Sequence, residues 1–509
     1  MSPYIRTVKT GSGARAVQVV HSKKHGSKKI THVGSAHTDR EYALLKAQAQ
    51  RIIDGDQMSL DLGVVASEDA GVGSENNPVP VTAERAAILL DCIDACFDRI
   101  GIDAASGGDA VFRDLVRARI IHPGSKLESI ETLADVGVTS AGYATIKRKL
   151  PEYATDGFRE IITQALATHA GIGPGSFLLY DVTTLYFETD TPDDLRKPGF
   201  SKERRVEPQI LVGLLTDSTG FPLSVGAFEG NKAETHTMLP MIRRMQEAYR
   251  LSDVTVVADA GMFSAANKKA IVDSGLHYIL SVKTPNLPEV IAEWKKDNPG
   301  EEYEHGQVWR QPSFTDGRKS GAPDSVTFYH YSRDRARRTL RGINEQLGKA
   351  KRAVAGETSI KRNKYVDLKA PNKKVNYTLA KKHQDLAGIK GYETDLVTMP
   401  AEDVITYYRR LINVERSFRM KKSDLKARPI FHRTEDSINA HITIVTAALA
   451  VAHEMVEHSG MSLKKLVRTL RRYRSFELEV NGQTIHATVP LPDNIKTLVN
   501  TILHPPRGH

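Results

Sequence analysis

Three acidic residues of this 509-residue chain, Asp181, Asp259 and Glu415, have the type and setting that metal-dependent chemistry requires. Asp181 lies within the aromatic and β-branched stretch 177–188, and Asp259 ends the apolar stretch 254–259. A carboxylate in a buried strand is costly unless a cation or a hydrogen-bond donor compensates it. Two strand acids and one helix acid can hold two divalent cations for a displacement at phosphorus. Because Mg²⁺ prefers carboxylates and water, two Mg²⁺ or Mn²⁺ ions are the expected cofactors.

Glu415 differs from the other two acids because it lies in a predicted helix, residues 402–421. At about 100° per residue, a phenol and two cations fall on the same margin of this helix as the carboxylate. These neighbours are Tyr408, Arg419 and Lys422. They are candidate contacts for a scissile phosphate and a DNA end. A surface helix with an i,i+4 ion pair between Glu415 and Arg419 is the alternative.

The two strand acids belong to a regular alternation of predicted elements. Strand-like and helix-like stretches follow one another as β-β-β-α-β-α-β between residues 177 and 282. This order is typical of the ribonuclease-H-like fold, whose first and fourth strands each present an acid to one site. We therefore predict an α/β protein with a ribonuclease-H-like catalytic core, interrupted by a basic insertion that contains strands.

Composition and pattern divide the chain into six predicted segments. They are a β/helix region (1–75), a helical DNA-binding region (76–172), the first part of the core (173–284), the basic insertion (285–392), the second part of the core (393–460) and a helix/hairpin tail (461–509). A chain of this length is too long for one hydrophobic core, which favours several domains.

The net charge of +10 indicates a polyanionic partner, and one segment supplies it. Residues 333–383 hold 16 Lys and Arg against four acids, an excess larger than that of the whole chain. This run predicts a surface for the phosphate backbone of DNA, with a solvated face as the alternative.

A helix-turn-helix outline precedes the core. An amphipathic stretch, residues 126–137, ends on Gly137 and is followed by a short basic helix at 143–150. Lys147 and Arg148 on that helix are candidate DNA contacts. Many helical hairpins share this outline, so an ordinary hairpin is the alternative.

Other classes of protein are disfavoured. The longest near-apolar run, residues 442–452, is too short to span a bilayer, and no secretory signal is visible, so a cytoplasmic protein is expected. The sequence His453-Glu454 with His458 is one residue too long for the zinc-protease motif.

Glu234 is a fourth acid that could belong to the acidic site. It begins a predicted helix, however, and can interact with the helix dipole instead.

Motifs spread over most of the chain resemble those of one family. Tyr408, Glu415 and Lys422 match the signature Y-x2-R-x3-E-x6-K, with Leu411 at the position of its Arg. Family-like stretches also surround both aspartates, at residues 180–183 and 258–261. The chain thus resembles a DDE transposase of bacterial insertion sequences, in the IS-four group and its IS-sixteen-thirty-four branch.

The resemblance implies a catalytic triad of Asp181, Asp259 and Glu415 that binds the metal ions. Water attacks the end of the element first, and the freed 3′-hydroxyl then attacks target DNA, without a covalent enzyme intermediate. Tyr408 and Lys422 would contact phosphates near the cleaved end. The departure at Leu411 bears on any step that the family assigns to the missing Arg, including formation of a DNA hairpin.

Further candidate DNA contacts each have an alternative. Arg409 or Arg410 could replace the missing Arg, although a helix points both of them elsewhere. Trp309 could stack on a base flipped from the element's end, or belong to a core. Lys202 and Arg204 could grip DNA beside Asp181, or lie in a solvated loop.

The expected partners are double-stranded DNA, as terminal repeats and target, and a second copy of the chain in a synaptic homodimer. The expected location is the cytoplasm, in association with the nucleoid and without a membrane. Two alternatives remain: a catalytically silent DNA-binding regulator derived from a transposase, and a ribonuclease-H-like nuclease without strand transfer.

Overall fold

A computed structural model describes most of the chain. The described residues are 3–11, 13–21, 29–54, 73, 78–187, 192–199, 207–249, 252–262, 264–314, 323–358, 363–367, 373–420, 425 and 434–505. By contacts the chain divides into two compact units, Met1–Val79 and Pro80–His509.

The smaller unit is a three-stranded antiparallel sheet with one helix. Its strands are β1 (Tyr4–Lys9), β2 (Arg15–His21) and β3 (Lys29–Ala36), in that order, and its helix is α1 (Asp39–Asp54). Val17 and Val19 of the central strand pack with Ala49 of the helix to form a small core.

The larger unit contains the remaining elements. Its strands are β4 (Val81–Arg85), β5 (Phe177–Tyr186), β6 (Gln209–Thr216), β7 (Pro222–Glu229), β8 (Thr255–Ala258), β9 (His277–Val282), β10 (Val308–Ser313), β11 (Ser325–Tyr331), β12 (Val366–Asp367), β13 (Lys374–Val375), β14 (Ile389–Thr394), β15 (Ser475–Val480) and β16 (Gln483–Thr488). Its helices are α2 (Ala87–Arg99), α3 (Ile102–Ala105), α4 (Ala110–Ile121), α5 (Lys126–Ala134), α6 (Tyr143–Ala154), α7 (Asp156–His169), α8 (Met238–Tyr249), α9 (Ala265–Asp273), α10 (Glu289–Asp297), α11 (Arg333–Val354), α12 (Tyr377–Asp385), α13 (Ala401–Arg409), α14 (Leu411–Arg419), α15 (Glu435–Ser459), α16 (Leu463–Leu470) and α17 (Asp493–Leu503).

A mixed sheet of eight strands organises the larger unit, in the order β10-β11-β14-β9-β8-β5-β6-β7. Strands β5, β6 and β7 are antiparallel neighbours, whereas β8 and β9 run parallel to β5. Every residue of β6 is buried, as expected for a strand covered on both faces. The fold is therefore a mixed α/β structure, in agreement with that part of the prediction.

The predicted insertion contributes both to this sheet and to a separate core. Strands β10, β11 and β14 continue the sheet beyond β9 through antiparallel pairing. Helices α11 and α12, with the short pair β12–β13, enclose their own cluster around Ile343 and Tyr365. The strands of this segment thus widen the main sheet, while its basic helix α11 packs on a smaller hydrophobic cluster.

Helix α15 is the central core helix of the larger unit. It contacts α2, α4 and α6 and also strand β7. Its length and apolar composition would allow it to cross a membrane, yet 89% of its most apolar window is buried inside the protein. The apolar run predicted from the sequence is therefore explained by the core.

A buried ionic cluster ties α15 to three other helices. Glu454 accepts hydrogen bonds from Arg99 (3.0 Å), His169 (3.3 Å) and His458 (3.0 Å). Arg99 also donates to the carbonyl oxygen of Ile502 in α17 (2.6 Å). Burial alone would raise the pKa of Glu454, but these hydrogen bonds outweigh it and lower the pKa to about 2. The motif that resembled a zinc protease thus contains a structural carboxylate.

We expect Glu454→Gln to lower the free energy of unfolding and to make that free energy less dependent on pH in the acidic range. Removing one partner of a buried ion pair leaves the other uncompensated, at a cost of roughly 3 kcal/mol. Because folding lowers the pKa of Glu454, its contribution is complete above the ordinary pKa of 4.5 and is lost as the pH falls towards about 2. Urea unfolding at a series of pH values measures both effects. Glu457→Gln, an exposed change on the same helix, should leave stability nearly unchanged.

Candidate active site

The register of three neighbouring strands places two of the three predicted acids at one level of the sheet. The parallel pairing of β5 with β8 matches Leu179 with Val257, and its extension by two residues sets Asp181 level with Asp259. The pairing of β8 with β9, extended by one residue, sets Ser281 at the same level. Side chains at one level of a parallel sheet project from the same face, and adjacent strands lie about 4.8 Å apart. The two aspartates can therefore reach a common cation.

Asp259 is held by three hydrogen bonds to one oxygen. Its Oδ1 accepts from the Ser281 hydroxyl (2.5 Å), the backbone N–H of Ala260 (2.9 Å) and the Tyr408 hydroxyl (3.0 Å). Among the described residues, no hydrogen bond reaches its Oδ2. Burial would raise the pKa of Asp259, but these donors and the nearby charge of Lys390 lower it. Asp259 is thus a carboxylate at neutral pH, with one oxygen left for a ligand.

The predicted helix 402–421 is wrong in one respect, since it is two helices. Helix α13 ends at Arg409 and α14 begins at Leu411. Helix α14 is anchored on the turn between β6 and β7, where Asn413 donates to the carbonyl oxygen of Ser218 (3.0 Å). Helix α13 packs instead against β9 and β14. Arg410 between them keeps right-handed helical backbone angles (φ −65°, ψ −14°), so the interruption is confined to one residue.

Tyr408 lies inside the site. It is 7% exposed and directs its hydroxyl to Asp259 rather than to solvent. Burial, together with the charge of Asp259, raises the pKa of this phenol, so it stays protonated and acts as a donor. Its expected contact with a DNA phosphate stays a prediction.

Lys390 of β14 is a cation that the sequence analysis did not assign. Its ammonium lies 4.3 Å from the ring centroid of Tyr408 and 5.6 Å from that of Tyr392, which favours a cation–π contact. Burial lowers the pKa of Lys390, and the charges of Asp259 and Glu415 oppose that shift. Lys390 is therefore the group that connects the exposed Glu415 of α14 electrostatically to the aspartate on the sheet.

More positive charge lies on the Lys390 side of the site. In the pairing of β11 with β14, His330 is directly opposite Lys390. Burial lowers the pKa of His330 to about 4, and the charges of Arg335 and Arg409 contribute to the shift. His330 is thus neutral at physiological pH, whereas the two arginines and Lys390 form a cationic border beside the acids.

The donor set of the site suits a hard divalent cation. Asp181 and Asp259 offer carboxylate oxygens from neighbouring strands, and Glu415 is exposed on the adjoining helix. No three Asp, Glu, His or Cys side chains in the described part of the chain are grouped closely enough to hold a metal ion. Glu415 would therefore have to move closer to the two aspartates for all three acids to share one ion.

Glu234, which competes with the three acids in the sequence, lies close to the turn that follows Asp259. A Cβ atom added at Gly261, two residues after Asp259, would lie 3.5 Å from the Oε2 atom of Glu234. The charge of Glu234 also acts on Tyr180, the residue before Asp181. Glu234 thus lies near the turn that follows Asp259, in addition to beginning a short helix.

The other predicted DNA contacts are dispersed. Trp309 is 6% exposed and packs against Trp294 and Tyr303, so in this structure its ring belongs to an aromatic core and is not available for stacking on a base. Arg410 lies over the ring of Tyr407 (5.0 Å), on the side of the chain where β5 begins. Arg419 is exposed on α14. Lys202, Arg204 and Lys422 lie outside the described residues.

Lys147 and Arg148 are exposed on α6, the second helix of the predicted helix-turn-helix. The first helix, α5, begins with a capping box formed by Ser125 and Glu128. Gly137 follows α5 with φ +78°, and a Cβ there would lie 2.0 Å from the carbonyl oxygen of Glu84. Only glycine fits this turn, so the sequence signal for the end of the helix has a clear physical basis.

Two residues of the site, Ser281 and Lys390, were missed by sequence reasoning. Ser281 is an ordinary polar residue in a buried strand, and nothing local distinguishes it. Lys390 gave one usable signal, since it is the lone cation of the otherwise uncharged stretch 387–392. A charged residue in a short strand at a sheet interior suggests a compensating acid nearby.

Comparisons with known proteins identify a family for this chain. The sequence model of a family described as "Transposase DDE domain" matches residues 173–451, which include all three acids. Among solved structures, the chain is similar to the cryo-EM structure of a piggyBac transposase synaptic complex with hairpin DNA. The two are 14% identical, with a TM-score of 0.34, and the match covers 75% of this chain and 70% of that chain. No curated protein matches the chain.

Proposed function

The chain belongs to the transposase DDE domain family, and from this premise we propose that it cleaves the ends of an insertion sequence and joins them to target DNA in a metal-dependent reaction. The observation that carries the proposal is the common level of Asp181 and Asp259 on two parallel strands, with Tyr408 and Lys390 beside them. We further propose that it belongs to the IS-four group and its IS-sixteen-thirty-four branch.

We assign the core to the ribonuclease-H-like fold. The order β7-β6-β5-β8-β9, with three antiparallel strands followed by two that run parallel to β5, supports this assignment. In this fold the first and fourth strands each present an acid to one site. Asp181 lies on the first strand of the core, and Asp259 directly follows the fourth. Residues 285–392 would be the insertion of this core.

Asp181, Asp259 and Glu415 are the residues that would hold Mg²⁺ or Mn²⁺, as two ions. Metal ions bound there supply activation of an attacking oxygen and stabilisation of the leaving oxygen. The chain contributes the positions of the ligands: Ser281 and the Ala260 N–H hold Asp259 by its Oδ1 and leave Oδ2 to bind.

The phenol and the ammonium beside the acids have distinct roles in this proposal. Tyr408 keeps its proton and fixes the orientation of Asp259. Lys390 neutralises the acids before DNA arrives, and its ammonium then contacts a non-bridging oxygen of the scissile phosphate. Negative charge increases on the phosphate oxygens in the transition state. A cation already positioned beside them lowers the free energy of that state far more in a half-buried site than in water.

The proposed partners are double-stranded DNA and a second copy of the chain. Cutting and joining both ends of one element requires both ends in one complex, which a homodimer provides by symmetry. Lys147 and Arg148 on α6 would contact DNA away from the cleavage site. Such a protein would act in the cytoplasm, at the nucleoid.

The test is incubation of the protein with labelled DNA from either flank of its own reading frame, with Mg²⁺ and a target plasmid. We expect nicks at the element's ends, followed by products joined to the plasmid. Nicking without joined products would leave a nuclease, and binding without nicking would leave a silent regulator. Either outcome contradicts the proposed transposase activity.

A further inference from the structure

Helix α16 has one buried side and one strongly basic side. Leu463, Leu466, Val467 and Leu470 are between 0% and 7% exposed and pack into the main core. The opposite side carries exposed cations, three on the helix and one two residues beyond it. These residues are Lys464, Lys465, Arg468 and Arg472, here called the α16 basic face.

The α16 basic face has no acidic partner within the described residues, while its neighbours do. Arg471 pairs with Asp135 (3.5 Å), and Arg474 pairs with Glu84. Like charges at i,i+4, such as Lys464 and Arg468, each destabilise a helix by about 0.2–0.5 kcal/mol. The fold thus keeps four repelling charges together on a rigid, buried support.

The length of this face matches the spacing of phosphates on a DNA strand. Nine residues from Lys464 to Arg472 span about 12 Å at 1.5 Å per residue. One strand of a duplex carries a phosphate about every 3.4 Å along its axis, so about four phosphates cover that length. Four cations opposite about four phosphates is close charge complementarity.

The position of α16 continues a surface already proposed for DNA. Arg474 donates to the carbonyl oxygen of Asp135 (3.1 Å), at the end of α5. Helix α6, with exposed Lys147 and Arg148, packs against α5. A groove of about 710 Å³ lies between α16 and residues 120–123, and three cations of the α16 basic face line it, Lys464, Arg468 and Arg472.

We propose that the α16 basic face binds the phosphate backbone of duplex DNA beside the α5–α6 hairpin. This inference rests on the proposed function, because it assumes that the partner is DNA. It adds a sequence-independent contact that sets affinity and position, and leaves base reading to other residues.

The test is the salt dependence of binding to a fluorescent duplex of mixed sequence, by anisotropy. For the wild type, the logarithm of the affinity should fall linearly with the logarithm of salt concentration. Each phosphate that the protein no longer neutralises reduces the steepness of that line by about 0.9. We expect Arg468→Gln to reduce the slope by about 1, and replacement of all four cations by Gln to reduce it by about 3 to 4.

The matched control is Lys496→Gln on α17, an exposed lysine paired with Asp493, which should leave the slope unchanged. Circular dichroism checks that each variant is folded. An unchanged slope in the fourfold variant, with wild-type protein that binds and cuts DNA, overturns this inference alone. A wild type that binds no duplex overturns the proposed function as well. If the fourfold variant instead fails to bind a Glu-rich peptide that the wild type binds, with DNA binding intact, the face belongs to an acidic protein partner and the inference is wrong.

Discussion

Asp259→Asn should abolish DNA cleavage while the protein still binds DNA. Asparagine keeps an Oδ1 that accepts from Ser281, Ala260 and Tyr408, so the local hydrogen bonds survive. The change removes the negative charge that a divalent cation needs. Since metal ions contribute several kcal/mol to such reactions and 1.4 kcal/mol is tenfold, cleavage should fall more than about 1,000-fold.

Cleavage of end-labelled DNA under single-turnover conditions measures this loss, and anisotropy measures binding in the absence of metal. Affinity for DNA should be unchanged or slightly higher, because one negative charge near the phosphates is gone. Asp273→Asn provides the matched control, since it makes the same chemical change in an exposed ion pair with Lys269. Cleavage by Asp259→Asn at close to the wild-type rate would show that Asp259 is not a metal ligand, and the proposed mechanism would then be wrong.

Lys390→Met is expected to slow cleavage by about 100- to 1,000-fold, the cost of removing one preorganised charge-stabilising group. Methionine is unbranched and of similar length, so it keeps contact with the rings of Tyr392 and Tyr408. What disappears is the ammonium, which interacts with both Asp259 and Glu415. The loss should appear in the rate of the chemical step at saturating DNA rather than in affinity.

Two controls separate charge from packing at Lys390. Lys390→Arg keeps a cation and should recover part of the rate, although its planar group fits the space differently. Lys269→Met removes an exposed lysine and should leave cleavage unchanged. If Lys390→Met cuts DNA at the wild-type rate, Lys390 is only a structural counter-ion. In that case the main effect of the substitution would be a lower melting temperature of the metal-free protein.

Local sequence patterns predicted much of the secondary structure of the core. The predicted order of strands and helices from residue 177 to 282 agrees with β5 to β9, because buried strands need continuous apolar, β-branched sequence. The helix and the hairpin expected in the tail, residues 461–509, are present as α16 and the pair β15–β16. Each of these features depends on neighbours within a few residues, which periodicity and turn chemistry describe well.

Features that depend on distant packing were not predictable in the same way. Helix 402–421 is interrupted at Arg410, three residues before Asn413, which donates a hydrogen bond to the carbonyl oxygen of Ser218 nearly two hundred residues earlier in the chain. Trp309 is enclosed by aromatic residues from several elements, which no local pattern reveals. The first is a local prediction that the structure corrects, whereas for Trp309 the tertiary contacts decide between the two alternatives that the sequence left open.

The sequence by itself determined which residue types are available for chemistry, the alternating order of the core and the concentration of positive charge. Only the tertiary structure decided that Asp181, Asp259 and Ser281 share one level of the sheet, and that Lys390 reaches the acids from β14. The reason is physical. Strand register across long connections is set by the packing of whole elements, and a cation finds its carboxylate in space, whatever their separation along the chain.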